Sequence, residues 1–168
     1  ALPTYKGGKG YQPVVALWHE LGVIVADEFR DGNVPAAVGN QHVIRQALAQ
    51  VHGVTQVYLR ADSALYDHDV LALLESERVR YAISADMSPA LAAAVAALPE
   101  DAWHPEKDEG DAVRFWAEVA YVPDDGVYKK DRGEPPRYLA VRILKKQGLL
   151  FADGSDRKHF AIVTNRPD

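Results

Sequence analysis

The sequence predicts an α/β fold, and three observations carry that prediction. Apolar runs suited to strands alternate with stretches of helical periodicity over the first hundred residues. The run at residues 54–66 (VTQVYLRADSALY) ends abruptly in Arg60, Ala61, Asp62 and Ser63, and a helical pattern follows it directly. Beyond residue 99 helical periodicity fades, and strand-like runs separated by charged, Gly- and Pro-containing connections take over.

The opening, residues 1–10, is too glycine-rich for a regular element and reads as a loop. Residues 11–19 (YQPVVALWH) and 23–29 (VIVADEF) are apolar runs separated by Glu20, Leu21 and Gly22, which suits a hairpin. Pro13 sits near the start of its strand, where a missing donor is tolerated. The turn signal of residues 30–35 (RDGNVP) stops the second strand. Residues 36–52 then repeat Val38, Val43, Ile44, Leu48 and Val51 at near-helical spacing, and Gly53 supplies the stop.

Val54, Val57 and Leu59 read as a buried strand, which places Asp62 at its carboxyl end, the sheet edge where α/β proteins bind ligands. Taken alone, such an aspartate is more often a turn residue or a helix cap. Residues 67–78 (DHDVLALLESER) have acids first and a basic end, matching the helix dipole. That placement makes Asp67 and Asp69, beside His68, dipole-stabilising residues in preference to a metal cluster. Residues 79–84 form a further strand. Ser88 and Pro89 then open an Ala-rich helix as N-cap and first helical residue, and Pro99 ends it. Asp86 ends the strand before that helix, and a capping role is favoured for it. Residues 100–111 read as acidic and irregular, and 112–122, 137–144 and 159–164 as strands.

The chain has 168 residues, 48% of them hydrophobic, which suits one domain or a domain with an appendage. The expected division is a core over 1–99 and a β-rich region over 100–168. No apolar run approaches the roughly 20 residues that cross a bilayer, and no signal-peptide pattern opens the chain, so a cytoplasmic protein with no membrane partner is expected. With no cysteine, a metal would need carboxylates or imidazoles. The net charge of -5 argues against a surface that attracts nucleic acid everywhere. Residues 126–166 differ, with ten Lys or Arg against four acids. The glycines at 7, 8 and 10 precede a strand, whereas phosphate loops precede a helix.

The order hairpin, helix, strand, helix, strand is that of the ribonuclease H-like fold with its first strand absent. Four stretches carry a resemblance: residues 5–13 (YKGGKGYQP), 28–36 (EFRDGNVPA), 60–64 (RADSA) and 82–87 (AISADM). In order and spacing the chain resembles the DDE transposases of bacterial insertion sequences, specifically the cut-and-paste group whose final motif is a Tyr/Arg/Glu/Lys helix. The resemblance implies a central fragment of a ribonuclease H-like catalytic domain that cuts transposon ends and transfers strands to target DNA. Three carboxylates would hold two Mg²⁺ ions. Asp62 matches the second; the first would lie before Ala1 and the third, on the final Glu-bearing helix, after Asp168. The β-rich region matches the insertion between the second and third.

One carboxylate does not hold a pair of divalent ions, so no Mg²⁺ is expected to bind stably and the isolated fragment is expected to be inactive. The expected DNA contacts are Arg30, Asn33, Arg60 and Ser63, with both clusters on one sheet edge, and the basic stretch Lys129, Lys130, Arg142, Lys145 and Lys146. The missing strand would leave two interior edges beside the hairpin and the Asp62 strand, which favours a homodimer by strand exchange or edge pairing. An inactive remnant with a structural or protein-binding role, and a ribonuclease H-like nuclease, are the alternative readings.

Overall fold

In a computed structural model, which describes residues 1–4, 7–108, 110, 112–123, 135–145 and 157–167, the chain divides into two units. The first comprises Ala1–Val57 and Ala64–Val79, the second Tyr58–Ser63 and Arg80–Asp168.

In the first unit the glycine-rich opening is pinched by two-residue strands, β1 (Leu2–Pro3) and β2 (Lys9–Gly10), which pair antiparallel. The predicted hairpin follows as β3 (Val14–Trp18) and β4 (Val23–Glu28), antiparallel, with a bulge between Ala16 and Leu17. Helix α1 (Asn40–Gln50) starts four residues later than its periodicity suggested, and Val38 is exposed. The reason is Gly39, which adopts a left-handed φ of 81° as N-cap. A Cβ there would also stand 2.8 Å from a Glu28 carboxylate oxygen, which would have to shift, so the positive φ is the main reason for glycine. Val43 and Ile44 are the face that α1 buries.

After the second unit's β5 (Tyr58–Ala61) and a 3-10 turn (Ser63–Leu65), the first unit resumes with α2 (His68–Ser76). Asp67 is its N-cap, its carboxylate accepting from the backbone N–H of Asp69 at 2.9 Å and Val70 at 3.2 Å. Asp67 thus caps the helix and Asp69 lies in its first turn, where the dipole favours an acid, and Val70, Leu71, Leu73 and Leu74 enter the core.

The second unit is a six-stranded sheet ordered β5-β6-β10-β9-β8-β7. Its members after β5 are β6 (Arg80–Ala85), β7 (His104–Asp108), β8 (Ala112–Val119), β9 (Arg137–Lys145) and β10 (Arg157–Thr164). Only the β5–β6 pair is parallel; the others run antiparallel, so the sheet is mixed. Helix α3 (Pro89–Ala96), capped by the Ser88 hydroxyl accepting from Leu91 N–H at 3.2 Å, contributes buried Leu91 and Val95. Cross-strand register lines up Ala117, Ala140, Ala161 and Ala85 in one row over four strands, the first three fully buried. That row leaves volume for large buried neighbours in the same unit, among them Tyr81, Tyr138 and Trp103.

Four expectations are corrected. The strand containing Leu59 is only four residues long, and Val54 is 42% exposed, because residues 54–57 find no strand partner. Residues 104–108 form a strand despite Pro105, which an outermost strand tolerates at the bulge between Pro105 and Lys107. The 99/100 division does not separate the strands, since β10 pairs with β6 and the later strands extend the sheet that β5 and β6 begin. The hairpin β3–β4 is a two-stranded sheet of its own, not a part of the Asp62 sheet.

Candidate functional site

The parallel pair β5–β6 sets the site. Register aligns Arg60 with Ala82 and Ala61 with Ile83, so both strands finish at the same sheet edge. Asp62 follows the last residue of β5 and Asp86 follows the last residue of β6. Parallel strands joined through a helix end in the same direction, and β6 runs two residues past the partner of Ala61 before reaching Asp86. Asp62, Ser63 and Arg60 are all exposed, with Ser63 opening the 3-10 turn. Asp86 is also exposed, and Ser88 takes the capping role that sequence favoured for it.

Arg30 and Asn33 belong to the first unit. Asn33 is exposed. Arg30 is only 6% exposed, and its guanidinium is committed to backbone carbonyls. Nε donates to Gln12 O at 3.1 Å, Nη1 and Nη2 to Ala36 O at 3.5 and 3.4 Å, and Nη1 also to Val38 O. Gln12 closes the loop from the other side: its N–H donates to Arg30 O at 2.9 Å and its side-chain amide to Gly32 O at 3.1 Å. A Cβ on Gly32 would meet Leu2 O at 2.6 Å and Gly10 O at 2.7 Å, so this crossing requires glycine. The geometry gives Arg30 the work of binding two motif stretches together, in place of the direct phosphate contact expected of it.

Asn40 was not singled out from sequence. It is 1% exposed, and its Nδ2 donates to Ala64 O at 2.7 Å, tying the first residue of α1 to the turn that follows Ser63. An asparagine just after a glycine at a helix start was the available signal.

Of the basic stretch, Lys129, Lys130 and Lys146 lie outside the described residues. Lys145 is exposed at the end of β9. Arg142 is 7% exposed and ion-paired with Glu100 at 2.9 Å. Arg137 pairs with Glu118 at 2.8 Å, and this hydrogen bond, aided by the Arg137 charge, holds the Glu118 carboxyl below its ordinary pKa against the opposing effect of burial. Partial burial first, then the charges of Arg142 and Arg157, lower the His159 imidazole below its ordinary value.

Among the described residues no group of three His, Cys, Asp or Glu side chains is placed to hold a metal ion. Asp62 alone does not fit a pair of divalent ions. A depression of about 340 Å³ in the first unit, lined by Leu48, Val51, Gln56, Glu77 and Arg78 among others, contains none of the expected catalytic or DNA-binding residues.

The chain matches the family described as transposase DDE domain, group 1, over residues 1–132, more than three quarters of its length. It belongs to that family. No curated protein matches it. Membership in this DDE transposase family carries a DNA substrate and an enzyme class whose members use divalent metals. The matched span contains all four motif stretches, and with them Arg30, Asn40, Asp62 and Asp86. Among the described residues, no helix is long and apolar enough to cross a membrane.

Proposed function

We propose that this chain is the central part of the catalytic domain of an insertion-sequence transposase with a ribonuclease H-like core, which cuts transposon ends and transfers strands to target DNA. The observation that carries the reading is Asp62: it closes a parallel strand within the RADSA motif, in a chain of the DDE family. In the proposal Asp62 is one of three carboxylates around Mg²⁺, and the other two come from outside residues 1–168. In this reading a single one of the three carboxylates does not hold the metal pair, and the chain by itself is inactive. Arg60, Ser63 and Asn33, all exposed, meet the DNA backbone together with Lys145, Lys129, Lys130 and Lys146. Arg30 acts through the loop that it holds.

The test is Asp62→Asn in the complete transposase with its cognate ends and Mg²⁺ or Mn²⁺. Cleavage should fall by about a thousandfold or more, with end binding retained. Cleavage at the normal rate would end the proposal.

A homodimer belongs to the same proposal. Strand β5 is outermost in its sheet, with Tyr58 64% exposed beside a free edge, and such edges recruit a second strand. Sedimentation of the chain at micromolar concentration should show a dimer; a strict monomer would remove it.

A further inference from the structure

A second feature lies elsewhere in the six-stranded sheet, around Arg142. Its guanidinium carbon lies 4.3 Å from the Trp103 ring centroid and 5.2 Å from that of Phe115. A guanidinium carbon over aromatic rings leaves its N–H groups as the hydrogen-bonding direction. On that edge Nη1 alone reaches the Glu100 carboxylate, at 2.9 Å to each oxygen, while Nε is buried without a partner. A five-donor fork is thus answered through one nitrogen.

The two partners are unequally held. The Arg142 side chain is 8% exposed, whereas that of Glu100 is 77% exposed. The cation is fixed and the anion is free to swing away. His159 is the register partner of Arg142, its ring 5.8 Å from Trp103, and Arg157 stands two residues before it on the same strand. Two arginines, at positions 142 and 157, therefore lie close to this imidazole, with Glu100 as the acid that acts on it.

We propose that Arg142 is a guarded binding site for a backbone phosphate of DNA, with the Glu100 carboxylate holding the phosphate's place until DNA arrives. The inference rests on the transposase reading and adds a site and a mechanism to it. A phosphodiester matches the planar fork bidentately, as a carboxylate does. It also carries the same single charge, so exchanging one for the other never leaves the buried cation unpaired. The aromatic clamp has already fixed the guanidinium, which lowers the ordering cost of binding.

Binding of a labelled DNA duplex, followed by anisotropy over a range of salt concentrations, tests this. Glu100→Gln removes the competing charge and should tighten binding roughly three- to tenfold with an unchanged salt slope. Arg142→Gln should weaken binding and reduce the slope by about one. A purely structural ion pair predicts no tightening in E100Q, so equal or weaker binding by a folded E100Q protein overturns the proposal even if R142Q fails to fold. Inorganic phosphate that stabilises the E100Q protein against heat, with duplex affinity unchanged, would mark a small-anion site and overturn the DNA assignment. No duplex binding by any of the three proteins would also overturn it, while the Asp62 cleavage test would still decide the enzymatic reading separately.

Discussion

The two units are stabilised in different ways. In the first, side chains reach across the sequence to backbone carbonyls: Arg30 to residues 12, 36 and 38, and Asn40 to residue 64. Its hairpin leaves Val15, Leu17 and Ile24 at least half exposed. The second unit has such bonds too, from Arg80 to residue 165, Arg137 to residue 166 and Thr164 to residue 81, but there strand register sets the packing, and Ala117, Ala140, Ala161 and Val163 are fully buried. Strand patterns of similar apolar content thus end in opposite environments. The difference teaches that a motif residue in this family member can be architectural: Arg30, which looks like a ligand contact, holds the first unit's loops.

The sharpest way to break the comparison is Arg30→Met, which keeps much of the volume and removes every donor. Carbonyls of three residues lose their partner, at about 1 kcal/mol each or more, so a loss of about 3 kcal/mol is expected. Hydrogen exchange should show faster amides at residues 12, 32 and 43 while those of β9 and β10 keep their protection. Uniform loss in both units would mean that the distinction is false. Ala140→Leu is the converse. Overpacking a fully buried position should cost about 1–3 kcal/mol and speed exchange in β8, β9 and β10, with α1 unaffected.

What sequence made legible follows the range of the interaction responsible. Ser88 was readable as a cap, and Asp67 as a helix-start acid, because their backbone partners lie within three residues. The parallel pairing of β5 with β6, and so the edge position of Asp62, was readable because a helix connects them. The pairing of β6 with β10 was not, since it joins residues 82–85 to 161–164 and no local pattern encodes it. The burial of Arg30 was not legible because a buried arginine and a phosphate-binding arginine have the same local signature. Strand β7 was hidden by its charges and Pro105.

A smaller effect sharpens the comparison through pH. Because the folded state lowers the His159 pKa, the unfolded chain takes up that proton first as pH falls below about 6.5. Stability should therefore decline from about pH 6.5 down to the lowered folded value. The Glu118 contribution is present above the ordinary glutamate range and is lost as pH falls through its lowered folded pKa. Both groups make the second unit, specifically, less stable in acid. His159→Gln should flatten the upper part of the pH–stability curve and leave the lower part intact; an unchanged upper part would remove the imidazole from the explanation.

The most direct measurement concerns Asp62 as a metal-holding carboxylate. In the complete transposase bound to its end DNA, Fe²⁺ can replace Mg²⁺ and, with peroxide and ascorbate, cut the polypeptide near the atoms that bind it. Cuts should cluster within a few residues of Asp62, be suppressed by excess Mg²⁺, and disappear in Asp62→Asn. Efficient cutting elsewhere in the chain, with none around residues 60–64, would contradict the assignment of Asp62 to the catalytic centre.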